Sequence, residues 1–241
     1  MTNNLKRNNT KKLNLYYMLL KVALSSIISH GMLDFCLMKK LNVLLLYILN
    51  IFVYNYFLMF NKEIFMALFY LLSCYHFGKD FQIMTQGSDG LVNWSGSYML
   101  AITVDCVDGI KVWYSVLEFI GLDVVSSSAF INLVFCIRLL SLVGIVFTKN
   151  PLIILFCAGA TIVNSYLTLY QSVILYMSTV HVPLALCQFY KRFGLNPIRL
   201  WFFFTIMLSA VKWNIIIDET ISTSIISMTM SHMILISIFQ Y

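Results

Sequence analysis

Long apolar runs separated by short polar breaks dominate the chain, and the apolar residues fall in continuous stretches rather than in alternation. A membrane-spanning helix takes about 20 mostly apolar residues. Stretches of that kind fall at 14–37, 41–60, 64–84, 91–107, 128–148, 152–169, 171–190, 198–217 and 220–240. The fourth is the weakest, because it carries Asn93, Ser95, Gly96, Ser97 and Asp105. The segment 110–125 is amphipathic and reads as an interfacial helix. The run 151–190 is long enough for two spans, although no polar loop marks where one ends. The pattern predicts an all-α fold, a polytopic transmembrane helix bundle of about seven to nine helices. Continuous runs argue against a membrane barrel, whose strands alternate. Residues 1–12 read as a polar basic tail and 13–241 as a single transmembrane helical domain.

Composition sharpens this picture. Apolar residues make up 60% of the chain and charged residues 11%, with a mean hydropathy of +0.84. Soluble domains run at about 45–50% and about 25%, so too few charges remain to cover a water-facing surface. The same figures exclude disorder, and 10 Gly, 3 Pro and 6 Cys exclude collagen-like and disulfide scaffolds. Cys36, Cys74, Cys106, Cys136, Cys157 and Cys187 are scattered, without a C-x-x-C, and read as buried reduced thiols.

The net charge of +6 is concentrated at the amino end, in Lys6, Arg7, Lys11, Lys12 and Lys21. This implies an integral, multi-pass protein with a cytoplasmic N-terminus facing anionic lipid. Lys39–Lys40 fall on the opposite side and run against that rule. The first apolar run is too long for a signal-peptide core and reads as a retained helix. No basic fold follows the tail, so no nucleic-acid partner is expected. Arg138 and Lys212 lie inside apolar runs, and snorkelling is the expectation for both.

Candidate chemistry rests on four histidines, His30, His76, His181 and His232, all inside apolar stretches. A single intramembrane histidine usually hydrogen-bonds between helices. Four on four different helices, with none elsewhere, can build one metal centre in a bundle core. Neutral imidazole suits iron, zinc, copper or nickel. His30–Asp34 and His76–Asp80 both read H-x-x-x-D. Each aspartate is therefore placed to hold an imidazole N–H, on its own helix or a neighbouring one. Pairing of Asp80 with Lys79, and of Asp34 with a helix end, are the plainer alternatives. Gly31 and Gly78, next to these motifs, suit close helix approach or space beside a ligand. Pro183, two residues after His181, predicts a kink.

The segments HGMLD at 30–34 and SCYHFGKDF at 73–81 resemble the N-terminal signatures of the Brp/Blh family of integral-membrane β-carotene 15,15'-dioxygenases. Those signatures are H-G-x-L-D and S-x-x-H-F-G-x-x-D or a close variant. Tyr176-Met177-Ser178-Thr179-Val180-His181 resembles the family's Y-F-x-x-x-H-S-x-x-H, and Ser231-His232-Met233-Ile234-Leu235 resembles its P-H-M-I-L. The resemblance covers about residues 25 to 236. It implies central oxidative cleavage of β-carotene by O₂ to two retinals, on Fe(II) held by His30, His76, His181 and His232. Asp34 and Asp80 would orient the imidazoles, and Tyr75 and Phe77 would contact the polyene. The lipid bilayer would deliver the hydrocarbon, and a rhodopsin is a logical downstream taker of retinal.

Three departures keep alternatives open. Ala185 stands where the family has a second histidine, no histidine occurs near Asn93–Gly96, and Ser237 replaces an acid. The site can be completed by His232, can hold three histidines and water, or can belong to an inactive or repurposed relative. A di-metal desaturase would need clustered histidines that this chain lacks. A transporter would be expected to show paired Gly/Pro breaks in two related halves. A structural subunit would give the four histidines no reason to fall on these motifs.

Overall fold

A computed structural model describes residues 18–34, 41–85, 90–210, 229 and 231–234. The tail 1–12, Cys36, Lys39–Lys40, Lys212, Ser237 and most of the expected span 220–240 lie outside the described residues. Among the described residues every regular element is helical. Helix α1 (Met18–His30) ends in a 3₁₀ turn, Gly31–Leu33. It is followed by α2 (Leu41–Phe60), α3 (Lys62–Thr85) and α4 (Gly90–Ala101), which runs into a second 3₁₀ turn, Ile102–Asp105. Next come α5 (Gly109–Phe119), α6 (Val124–Thr148), α7 (Pro151–Asn164), α8 (Leu169–Phe193) and α9 (Asn196–Ala210). A helical segment at Ser231–Ile234 follows.

Three of these helices are long and apolar enough to cross a membrane: α2, α6 and α8, with mean hydropathies of 2.0, 2.4 and 1.4. Helices α1 and α7 are apolar but shorter. In α2 only 11% of the apolar window is buried, and Leu45, Leu49, Phe52 and Tyr56 face outward. Water would penalise such a surface by roughly 25 cal/mol per Å², whereas hydrocarbon would not, so this helix is compatible with insertion into a bilayer.

The run 151–190 divides at 165–168 because the local sequence supplies both ends. Asn150 caps α7 through Leu152 N–H with Pro151 in its first turn. Thr168 and Gln171 form a capping box at the start of α8. The carboxylate of Asp108 accepts Leu169 N–H at 2.7 Å, which fixes that junction from another loop. The weak fourth stretch does form a helix, and α4 is the inner one: Ser95, Ser97, Val92, Tyr98 and Met99 are buried. It packs chiefly on α3 and α6. Its polar residues are therefore interior, with Ser97 bonding Ser141 of α6.

The α3–α4 contact is backbone on backbone. A Cβ on Gly78 would strike the Asn93 carbonyl, and one on Gly96 would strike Gly78. Close approach is thus the role of Gly78, while Gly31 has open space around it. A core of Phe65, Tyr70, Cys74, Leu117, Phe130 and Val134 fills the space between α3, α5 and α6. Two expectations are corrected. Arg138 does not snorkel but donates to Asp105 at 2.7 Å. Cys74, Cys106 and Cys157 are buried free thiols as expected, but Cys136 and Cys187 are exposed.

Candidate metal centre

Four elements deliver the four histidines. His30 is the last residue of α1, and that helix is tied to α9 by the Trp201 indole, which donates to the Ser26 carbonyl at 3.0 Å. His76 lies in the continuous α3, beside the glycine contact with α4. His232 is placed by its neighbour: Met233 is 2% exposed within the main core, and the Ser73 hydroxyl meets its Sδ at 3.4 Å.

His181 closes a π turn, Met177–His181, in the middle of α8. The physical cause is Pro183, which has no N–H to donate and whose ring would crowd the carbonyl four residues back. Widening the helix by one residue relieves this, and Val182 N–H reaches Met177 O, five residues back. The expected kink is therefore a π turn. Within it, residues five apart become neighbours, which puts Tyr176 and His181 on one face.

All four imidazoles are buried and converge. His30 Nε2 and His232 Nε2 are 3.2 Å apart, and His76 Nε2 and His181 Nε2 are 3.3 Å apart. The rings of His30 and His181 have centroids 5.0 Å apart. The ligand atoms of His30, His181 and His232 all lie within 4.8 Å of one another.

The opposite ring nitrogens have partners on three of the four. His232 Nδ1 donates to both oxygens of Asp34, at 3.0 and 2.8 Å. His181 Nδ1 donates to Asp80 Oδ2 at 2.9 Å. His30 Nδ1 donates to its own helix, at the Ile27 carbonyl, at 2.5 Å. His76 Nδ1 is buried without a hydrogen-bond partner among the described residues.

Both H-x-x-x-D motifs thus hold the histidine of another helix rather than their own. In the first, the 3₁₀ turn after His30 rotates Asp34 away, since a tighter winding no longer stacks positions four apart. In the second, Asp80 stays on the His76 face of α3, and His181 reaches across from α8 to meet both. Asp34 and Asp80 are 1% and 3% exposed, so neither reaches solvent at a helix end.

This donor set fits a cation. A hydrogen bond from Nδ1–H leaves Nε2 as a bare lone pair. His30, His181 and His232 each carry such a bond, so their Nε2 lone pairs face a shared space with no proton between His30 and His232. Ligands about 2.1 Å from one metal sit about 3.0–3.4 Å from each other in octahedral or tetrahedral geometry. The observed 3.2 and 3.3 Å fall in that window. A buried His30–His181–His232 group can therefore hold a metal ion, with His76 adjoining through His181.

A cavity of about 20 Å³ adjoins the imidazoles, lined also by Lys79, Asp80, Ile83, Ala185, Gln188 and Phe189. Phe77 packs edge-on against His76 and His181, with centroids 5.4 and 5.0 Å away. It also walls a separate small cavity with Tyr176. Tyr75 is not brought to the cluster: it is exposed, and Lys79 Nζ sits over its ring at 4.5 Å.

Sequence reasoning gave no role to Tyr176, whose hydroxyl donates to Asp80 Oδ2 at 2.9 Å. The signal was its five-residue spacing from His181 together with Pro183, which only a π turn makes meaningful. Gln188 was also missed, although it lies seven residues after His181 on the same helical face. No family model matches this chain, and neither a curated protein nor a solved structure does.

Proposed function

We propose that this chain is a membrane-embedded non-haem iron oxygenase that cleaves β-carotene at its centre, using O₂, to give two retinals. The observation that carries the reading is the convergence of His30, His76, His181 and His232 with Asp34 and Asp80 bound behind two of them. Every histidine in the chain is in that cluster, and each lies on a segment resembling the carotene dioxygenases. On this reading the chain is a multi-pass bundle of seven to nine helices with a cytoplasmic N-terminus.

Iron(II) with neutral imidazole ligands supplies the activation of dioxygen. The protein's part is to hold and orient. His30, His181 and His232 would bind the ion through Nε2, with His76 as a fourth ligand. Asp34 and Asp80 fix the tautomers and ring planes of His232 and His181. Phe77 lies edge-on against His76 and His181 and gives the cluster an apolar neighbour that a polyene could contact. The bilayer delivers that substrate laterally, and retinal would pass to a retinal-binding protein such as a rhodopsin.

The test is expression in bacteria that accumulate β-carotene, with retinal measured by chromatography. Retinal formed at the expense of carotene, and lost in His30→Ala and His76→Ala, supports the reading. Intact carotene beside folded, membrane-inserted protein overturns it. Ala185, buried at the site where the family has a histidine, favours a second reading as a relative that keeps the metal but not the reaction.

A further inference from the structure

The side of the imidazole cluster that faces α8 is open, and three observations describe the opening. First, His181, Ala185 and Gln188 lie on one face of that helix, and all three line the same cavity. Second, Ala185 is buried, so its methyl group fills little of the space one turn beyond His181. Third, the cavity measures about 20 Å³, and one water needs roughly 10–15 Å³ on that measure.

We propose that this space is the binding position for one small electron-rich ligand of about two heavy atoms, with Ala185 setting its size and Gln188 holding it. The inference rests on the reading of the cluster as a metal centre. The chemistry of the walls specifies the ligand. The Gln188 amide offers N–H donors. Lys79, a residue 4% exposed, also lines the cavity and places a buried cation near it, with its Nζ over the Tyr75 ring. Ile83, four residues after Lys79, and Phe189, beside Gln188, add apolar surface, and the Asp80 carboxylate in the lining is already held by His181 and Tyr176. A cavity this small, with an amide and a buried lysine among apolar side chains, accepts a compact, polarisable acceptor and leaves no room for an organic substrate. The polyene or any other long ligand therefore has to approach from outside this cavity.

The test uses the full chain purified in detergent, loaded anaerobically with Fe(II) and titrated with nitric oxide. The readouts are iron stoichiometry and the electron paramagnetic resonance signal of the nitrosyl complex. The wild-type chain is expected to bind iron and to take up nitric oxide. Ala185→Leu, which fills the cavity, is expected to keep its iron and to weaken nitric oxide binding about tenfold or more. Ala185→Val is expected to fall between, and it serves as the readout should the leucine not fold. Gln188→Leu, which removes the donor, is expected to weaken binding about threefold to fivefold. Iron bound normally with nitric oxide affinity unchanged in Ala185→Val, Ala185→Leu and Gln188→Leu overturns this inference and leaves the metal centre standing. A wild-type chain that takes up no iron overturns both.

Discussion

Two H-x-x-x-D helices build the candidate centre, and they do so differently. On the α1 side, a 3₁₀ turn separates His30 from Asp34, His30 Nδ1 is satisfied by its own helix, and Asp34 gives both oxygens to His232. On the α3 side the helix is unbroken, His76 Nδ1 has no partner among the described residues, and Asp80 Oδ2 is shared by His181 and Tyr176. One motif therefore yields two local electrostatic environments. Backbone winding decides where the aspartate goes, and the helix packed opposite decides which histidine it holds. The α1 side fixes the proton positions of both its imidazoles. The α3 side fixes only that of His181 and leaves His76 free to present either tautomer.

That comparison can be broken most directly at the ligands. Substituting His30, His181 or His232 by alanine removes a lone pair from the group whose atoms lie within 4.8 Å. The expected loss of metal affinity exceeds the about 10–100-fold that an outer carboxylate costs. His76→Ala is expected to cost less than any of the three, measured by competition with a chromophoric chelator. Equal losses at all four positions would erase the distinction between the sides.

The carboxylates come next. Asp34→Asn and Asp80→Asn are each expected to lower metal affinity about 10–100-fold. Asp34→Asn should be the more damaging, because His232 uses both Asp34 oxygens and the amide keeps only one acceptor, whereas His181 uses a single oxygen of Asp80 and Tyr176 still holds residue 80 in place. The same titration measures this, and a reversed order would place the rigid half on α3. Tyr176→Phe sharpens the point with a smaller effect. It removes one hydrogen bond to Asp80 and leaves Asp80–His181 intact, so a loss of about fivefold is expected.

The smallest effect belongs to an exposed carboxylate, which sets the baseline for the two buried ones. Asp123 caps α6, accepting Ser126 N–H at 2.7 Å. That backbone bond, followed by the Ser126 hydroxyl, holds its carboxyl below the usual carboxylate range. A depressed folded-state value contributes stability above the unfolded-state value and loses it as pH falls through the folded one. Thermal unfolding of the wild type and Asp123→Ala should therefore differ slightly at neutral pH and converge in acid. A gap that persists in acid would mean that the cap does not depend on the charge.

Much of this molecule was legible in its residues. Apolar runs predicted most of the described helices, because an unbroken stretch of Leu, Ile and Phe is long enough to bury in hydrocarbon and lacks the alternation of a strand. The four histidines and two aspartates stood out because ionisable groups in such stretches are costly to place there without a function. Asn150-Pro151 and Thr168–Gln171 could have divided the run 151–190, since both are local signals. Gly31 and Gly78 both suit close approach by sequence, but only Gly78 makes it, against Asn93 and Gly96, partners that its own spacing does not name.

The sequence by itself determined the helical class, the apolar surface, and which six side chains carry the candidate chemistry, since each follows from residue type and short-range spacing. The tertiary structure decided the pairings: Asp34 with His232, Asp80 with His181 and Tyr176, and Arg138 with Asp105. Such pairs join residues up to 198 positions apart. No local spacing encodes them, because they depend on how whole helices pack and on where a 3₁₀ or π turn resets the face that each helix presents.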